Sequence, residues 1–66
     1  MEFNDNIRAL REDNDMNQTE ISIILNTNQR RISRLENGII QPTIQDIKIY
    51  CKYFKVSADW LLNIKY

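Results

Sequence analysis

Between Asn28 and Arg34 the chain reads NQRRISR: three arginines, a glutamine, an asparagine and a serine in seven residues, with no acid among them. These side chains suit base edges and phosphates. An arginine fork takes both acceptors of guanine, a glutamine amide matches adenine, and arginine and asparagine also bind phosphate oxygens. On a helix, Gln29, Arg30, Ser33 and Arg34 span one exposed face, while Ile32 and Leu35 form an apolar one. Arg30 and Arg34 then lie one turn apart. Any one of these arginines alone is an ordinary solvated residue. Together they make a face suited to the major groove of a duplex, which admits an α-helix.

The elements that must hold this face follow from local chemistry. Asn17 with Glu20 three residues on has the spacing of a capping box, so a helix is expected over 17–25, with Ile21, Ile24 and Leu25 on one side. Asn26-Thr27-Asn28 breaks the pattern with turn-forming residues, and Asn tolerates a left-handed backbone. Asn28 is a second N-cap, the next helix runs over 28–36, and Gly38 stops it. The result is a helix-turn-helix. Upstream, Phe3, Ile7 and Leu10 recur at i, i+4 and i+7, giving a first helix over 3–13 closed by Asp13-Asn14-Asp15. Downstream, Pro42 and the Thr43/Asp46 pair open a fourth helix over 44–54. Its buried stripe is read as Ile44, Ile47, Cys51 and Phe54, with Ile49 and Tyr53 as a second stripe. Ser57 caps a short last helix over 58–63, with Trp60 and Leu61 in or near the core. The fold class is therefore all-α, with five helices in one domain over 1–66.

Residues 16–38 resemble the helix-turn-helix of the phage-repressor/Cro (XRE-type) family. Met16, Asn17, Gln18, Ile21, Ser22, Leu25, Asn26, Thr27, Asn28, Ile32, Ser33, Leu35, Glu36 and Gly38 stand at the places of its pattern L-T-Q-x-x-L-A-x-x-L-G-V-S-x-x-x-I-S-x-[IL]-E-x-G. The similarity continues through Pro42, Thr43, Ile47, Cys51, Phe54, Val56, Ser57, Asp59, Trp60 and Leu61. It implies a lambda-repressor-like domain that binds double-stranded DNA as a transcriptional regulator. On that reading Asn28, Gln29, Arg30, Ser33 and Arg34 contact bases, and Asn17, Gln18, Arg31 and Asn37 contact phosphates. The resemblance also implies a structural ion pair between Arg11 and Glu36, tying the first helix to the third. A homodimer through the C-terminal helix on a near-palindromic operator follows from the same resemblance.

Departures from the pattern leave alternatives open. Ile39, Ile40 and Gln41 occupy loop positions where the family often has phosphate-binding cations, and the two isoleucines suit a docking partner as well. Ile23 stands where a polar residue is usual and is either an exposed oddity or a contact. Lys55 takes a common glycine position. The end of the chain, Leu62 to Tyr66, is either packed on its own domain or part of a dimer seam. A protein-binding module on the same fold, such as an antitoxin or anti-repressor, is the competing reading.

Composition bounds the rest. The 66 residues carry 9 basic and 9 acidic side chains, for a net charge of zero and a pI near 6.1. Neutrality weakens the non-specific pull toward DNA, but the three arginines of 28–34 concentrate positive charge where a groove would be met. A chain of this length buries roughly 60% of its unfolded surface, so a partner would add much to its stability. With no histidine and one cysteine, Cys51, neither a metal site nor a cofactor is expected. Without a Gly-rich loop or paired acids, catalysis and a small-molecule ligand are not expected either. No membrane span or signal peptide is read from the sequence, and a cytoplasmic, nucleoid-associated location is expected.

Overall fold

The protein is described here by a computed structural model covering residues 2–63. Five helices form in order: α1 (Phe3–Asp13), α2 (Gln18–Ile24), α3 (Gln29–Glu36), α4 (Ile44–Phe54) and α5 (Ala58–Leu61). Among the described residues there is no strand. The helices begin one residue later than expected where an asparagine cap was counted inside, and α5 is shorter than expected.

Each boundary has a chemical cause. The Asn17 side chain accepts from the Glu20 amide at 2.8 Å and Glu20 accepts from the Asn17 amide at 2.9 Å, completing the capping box of α2. Asn28 accepts from the Arg31 amide at 2.9 Å at the start of α3. Thr43 and Asp46 reciprocate at 3.1 and 2.8 Å at the start of α4, and Ser57 accepts from the Trp60 amide at 3.1 Å. The far ends turn through left-handed residues. Asp15, Asn26, Gly38, Lys55 and Asn63 have φ of 54°, 55°, 71°, 57° and 56°. After α1, α2 and α3 the turn is a Schellman motif: Met16 donates to the Arg11 carbonyl, Thr27 to Ser22 and Ile39 to Arg34. The chain has one glycine, so Asp, Asn and Lys adopt this conformation elsewhere.

The core is Ile7, Ile21, Leu25, Ile32, Leu35, Tyr50 and Leu61, with Phe3, Leu10, Ile24, Ile47 and Phe54 packed against it. Helix α3 lies against α2 and α1, and α5 against α4 and α1. Ser22, small and 4% exposed, allows the close packing around α2 and returns its hydroxyl to the Thr19 carbonyl at 2.6 Å.

The stripe of α4 differs from the sequence expectation. Ile44 is 74% exposed, whereas Asp46 and Tyr50 are buried at 4% and 1%. The buried face is rotated toward 46 and 50, because Asp46 is drawn inward by a cation on α3. Tyr50 follows one turn later, edge-on to Phe3 with centroids 6.3 Å apart and stacked on Phe54 at 6.1 Å. Trp60, expected in or near the core, is 46% exposed; Leu61 beside it supplies the anchor at 0%. Cys51 is half-buried. Of the tail Leu62 to Tyr66, on which the packed-end and seam readings rest, Ile64, Lys65 and Tyr66 lie outside the described residues.

The left-handed ends give opposite expectations at two positions. Gly38→Ala adds a Cβ at φ +71°, 3.6 Å from the Asn4 side chain, and should lower stability by about 1 kcal/mol. Lys55→Gly relieves the same strain and should raise stability by about 0.5–1 kcal/mol. Thermal denaturation of the two variants should give melting temperatures displaced in opposite directions by several degrees.

Candidate nucleic-acid interface

A buried carboxylate fixes where α3 sits. Glu36, the last residue of α3, is 0% exposed. Arg11 from α1 binds it side-on, Nε to Oε2 at 2.7 Å and Nη2 to Oε1 at 2.9 Å, and a third nitrogen, Nη1, donates to the Met16 carbonyl at 3.0 Å. The hydrogen bond from Arg11 to Glu36 holds the guanidinium pKa above its ordinary value against the opposing effect of burial. Gln18 from α2 donates to the same Oε1 at 3.2 Å. Arg8 donates to the Glu36 carbonyl and to Asn37 Oδ1, both at 3.0 Å, so it closes the C-terminal end of α3.

A second pair ties the first turn of α3 to α4. Arg31 grips Asp46 end-on, Nη1 to Oδ1 at 3.0 Å and Nη2 to Oδ2 at 2.7 Å. Burial alone would raise the Asp46 carboxyl. The hydrogen bonds from Arg31 and Thr43, with the Arg31 charge, outweigh it and hold the group below the ordinary aspartate range. Arg31 is expected from the sequence to contact phosphate; in this structure its guanidinium is engaged by Asp46. No local signal announces this, since the partners are 15 positions apart and Asp46 reads from sequence only as a cap.

The remaining candidates divide by what their polar atoms already do. Gln29 Nε2 donates to Gln18 Oε1, so a relay runs Gln29–Gln18–Glu36–Arg11. Asn17 and Asn28 have their carbonyl oxygens committed as caps. Asn37 is used at both ends, accepting from Arg8 and donating to the Ser33 carbonyl at 2.8 Å. Ser33 is half-buried. The side chains of Arg30 and Arg34 are exposed and make no hydrogen bond or ion pair with any described residue. With Asn28, Arg31 and Ile40 they line one shallow hollow on the surface of α3. No cluster of three or more metal-ligating side chains occurs among the described residues, and none of their helices is long and apolar enough to cross a membrane.

Comparison with known proteins places this geometry. A family model described as helix-turn-helix matches residues 7–61. The HTH-type transcriptional activator BcrR of Enterococcus faecalis is 32% identical over 63 residues, 96% of this chain and 31% of that protein. The chain thus spans about a third of that relative's length. A transcriptional regulator from Listeria innocua superposes with a TM-score of 0.94 over 98% of this chain and 61% of its own, at 23% identity. The P22 c2 repressor, solved with synthetic operator 9T and Tl+, superposes with a TM-score of 0.85 over 94% of both chains, at 22% identity. At those identities the two structures establish the fold.

Removing Arg11 leaves a buried carboxylate with only Gln18 and Arg8 near it. Arg11→Ala should therefore cost about 3 kcal/mol, read from urea unfolding, with most of the loss regained when Glu36→Leu is added. Asp46 sets an acid limb. Its folded pKa lies below the unfolded value of about 3.9, so its contribution is present above that pH and is lost as pH falls through the folded value. Urea midpoints measured as a function of pH should fall on acidification below about 4, and Asp46→Asn should flatten that fall.

Proposed function

This chain belongs to the phage-repressor/Cro (XRE-type) helix-turn-helix family of DNA-binding transcriptional regulators, not to a family of enzymes, and from that premise we propose how it engages DNA. It is a sequence-specific, repressor-like regulator that lays α3 in the major groove. Two copies dock on a near-palindromic operator with their α3 helices about 34 Å apart. The observation that carries this reading is the pair Arg30 and Arg34: exposed, one turn apart, and uncommitted, on a helix whose other arginine is held by Asp46.

Each side chain has a role consistent with its free atoms. Arg30 and Arg34 take guanine edges. Gln29, with one Nε2 hydrogen given to Gln18, keeps Oε1 and a second hydrogen for adenine. Asn28 and Ser33 reach neighbouring base edges. Asn17 and Gln18 keep amide hydrogens at the opening of α2 for a phosphate, and Asn37 lies at the rim. Support for a homodimer comes from apolar side chains left in solvent: Trp60 on α5 at 46%, Ile44 at 74% and Ile39 at 64%. A duplex target puts the protein at the nucleoid, in the cytoplasm.

One observation favours a protein-binding module instead. Ile23 is 73% exposed, near-complete exposure for a branched apolar residue on α2, and Ile24, Ile49 and Tyr53 line an open groove with Lys52. A hydrophobic complex would be nearly indifferent to salt, whereas duplex binding weakens steeply with it.

Selection of bound sites from a random duplex pool tests the proposal. The wild-type chain should enrich two half-sites one helical turn apart. Arg34→Ala should lose the preference at one base pair of each half-site, about 1–3 kcal/mol, with an unchanged melting temperature. A pool that yields no enriched sequence, or an Arg34→Ala profile identical to wild type, would overturn it.

A further inference from the structure

We propose that Asp46 withholds Arg31 from DNA and so acts as a positioning and specificity-determining residue, an inference that rests on the DNA-binding reading above. Arg31 lines the same hollow as Arg30 and Arg34, and its side chain is 28% exposed. By location it is a third cation for the duplex. By charge it is matched, because Nη1 and Nη2 each donate one hydrogen to the Asp46 carboxylate, at 3.0 and 2.7 Å.

Asp46 cannot follow Arg31 outward. The residue is 4% exposed, and its Oδ2 also accepts the Thr43 amide at 2.8 Å, which fixes the carboxylate to the start of α4. If Arg31 swung to a phosphate it would leave a buried carboxylate without its counter-charge, a larger loss than one exposed phosphate contact gains. Arg31 therefore stays, and it orients the first turn of α3 against α4. The consequence is selective. Phosphate neutralisation strengthens binding to every sequence alike, whereas base contacts discriminate. Holding back one arginine per protomer trims the first term and leaves Arg30, Arg34 and Gln29 to dominate.

The experiment measures association of the full chain with a short mixed-sequence duplex across a range of salt concentrations. Wild type, Asp46→Asn, Arg31→Gln and the double variant are compared, each checked by thermal melting. Asp46→Asn should steepen the slope of log K against log salt by about 0.9 per protomer, the increment for one more neutralised phosphate. Arg31→Gln should leave the wild-type slope, and in that background Asp46→Asn should add nothing. A purely structural role for the pair would change stability without producing a slope increment that vanishes with Arg31.

A folded Asp46→Asn with the wild-type slope overturns the inference. So does an Arg31→Gln slope lower by about 0.9, because Arg31 would then already sit on a phosphate. Should Asp46→Asn fail to fold, the Arg31→Gln slope decides alone. Absence of salt-dependent association in the wild type overturns the DNA-binding reading and this inference together. That result is distinct from binding with the wrong slopes.

Discussion

Glu36 is fully buried, and a carboxylate without water is tolerated only where charge and hydrogen bonds surround it. Two other helices supply them. Arg11 comes from α1, Gln18 opens α2, and Glu36 itself ends α3. None of the three contacts can be satisfied unless those helices hold a particular mutual arrangement. A bidentate arginine constrains angle as well as distance, so the contact fixes how α1 and α3 are set against each other. The exposed face of α3 is therefore oriented by a polar contact at its end, and the apolar residues Ile32 and Leu35 then fill the space beneath it.

Much of this is legible in the sequence because it is local. The caps at Asn17, Asn28, Thr43 and Ser57 depend on side chains within three residues of the backbone they satisfy. The stripe Ile21–Leu25 and the pair Ile32–Leu35 depend only on helical period. The Arg11–Glu36 contact, 25 positions long, came from resemblance to a family and from no spacing rule. What escaped was non-local and charged. Asp46 reads as an exposed cap until an arginine from another helix is brought to it, and its burial rotates α4 so that Ile44 faces water and Tyr50 the core. Trp60 escaped for a related reason: on a helix of four residues only one side can be anchored, and Leu61 takes it.

The three ion pairs also account for an unusual charge balance. A net charge of zero argues against duplex binding if charges are summed, but the sum hides where they are neutralised. Arg8 and Arg11 close on Glu36, and Arg31 closes on Asp46. Three of the five arginines in the sequence are thus internal fasteners, leaving Arg30 and Arg34 on the outer face of α3. Many of the acids sit well away from that face in sequence, at Glu2, Asp5, Glu12, Asp13 and Asp15.

A surface arranged in this way has little long-range attraction for phosphate and must depend on short-range complementarity. Screening confines an exposed charge to about 8 Å at physiological ionic strength, so contact with a duplex is governed by the charges nearest to it. The acids of residues 2–15 still lower the net charge that a distant duplex meets. In the proposed reading, that combination slows indiscriminate association and leaves the dwell time on a matched site to hydrogen bonds with bases. The same arrangement makes the direction of α3 decisive: with few phosphate contacts to compensate, a small rotation of the helix would lose both arginines at once. The rigidity imposed at Glu36 and Asp46 is then a condition of recognition by so sparse a set of cations.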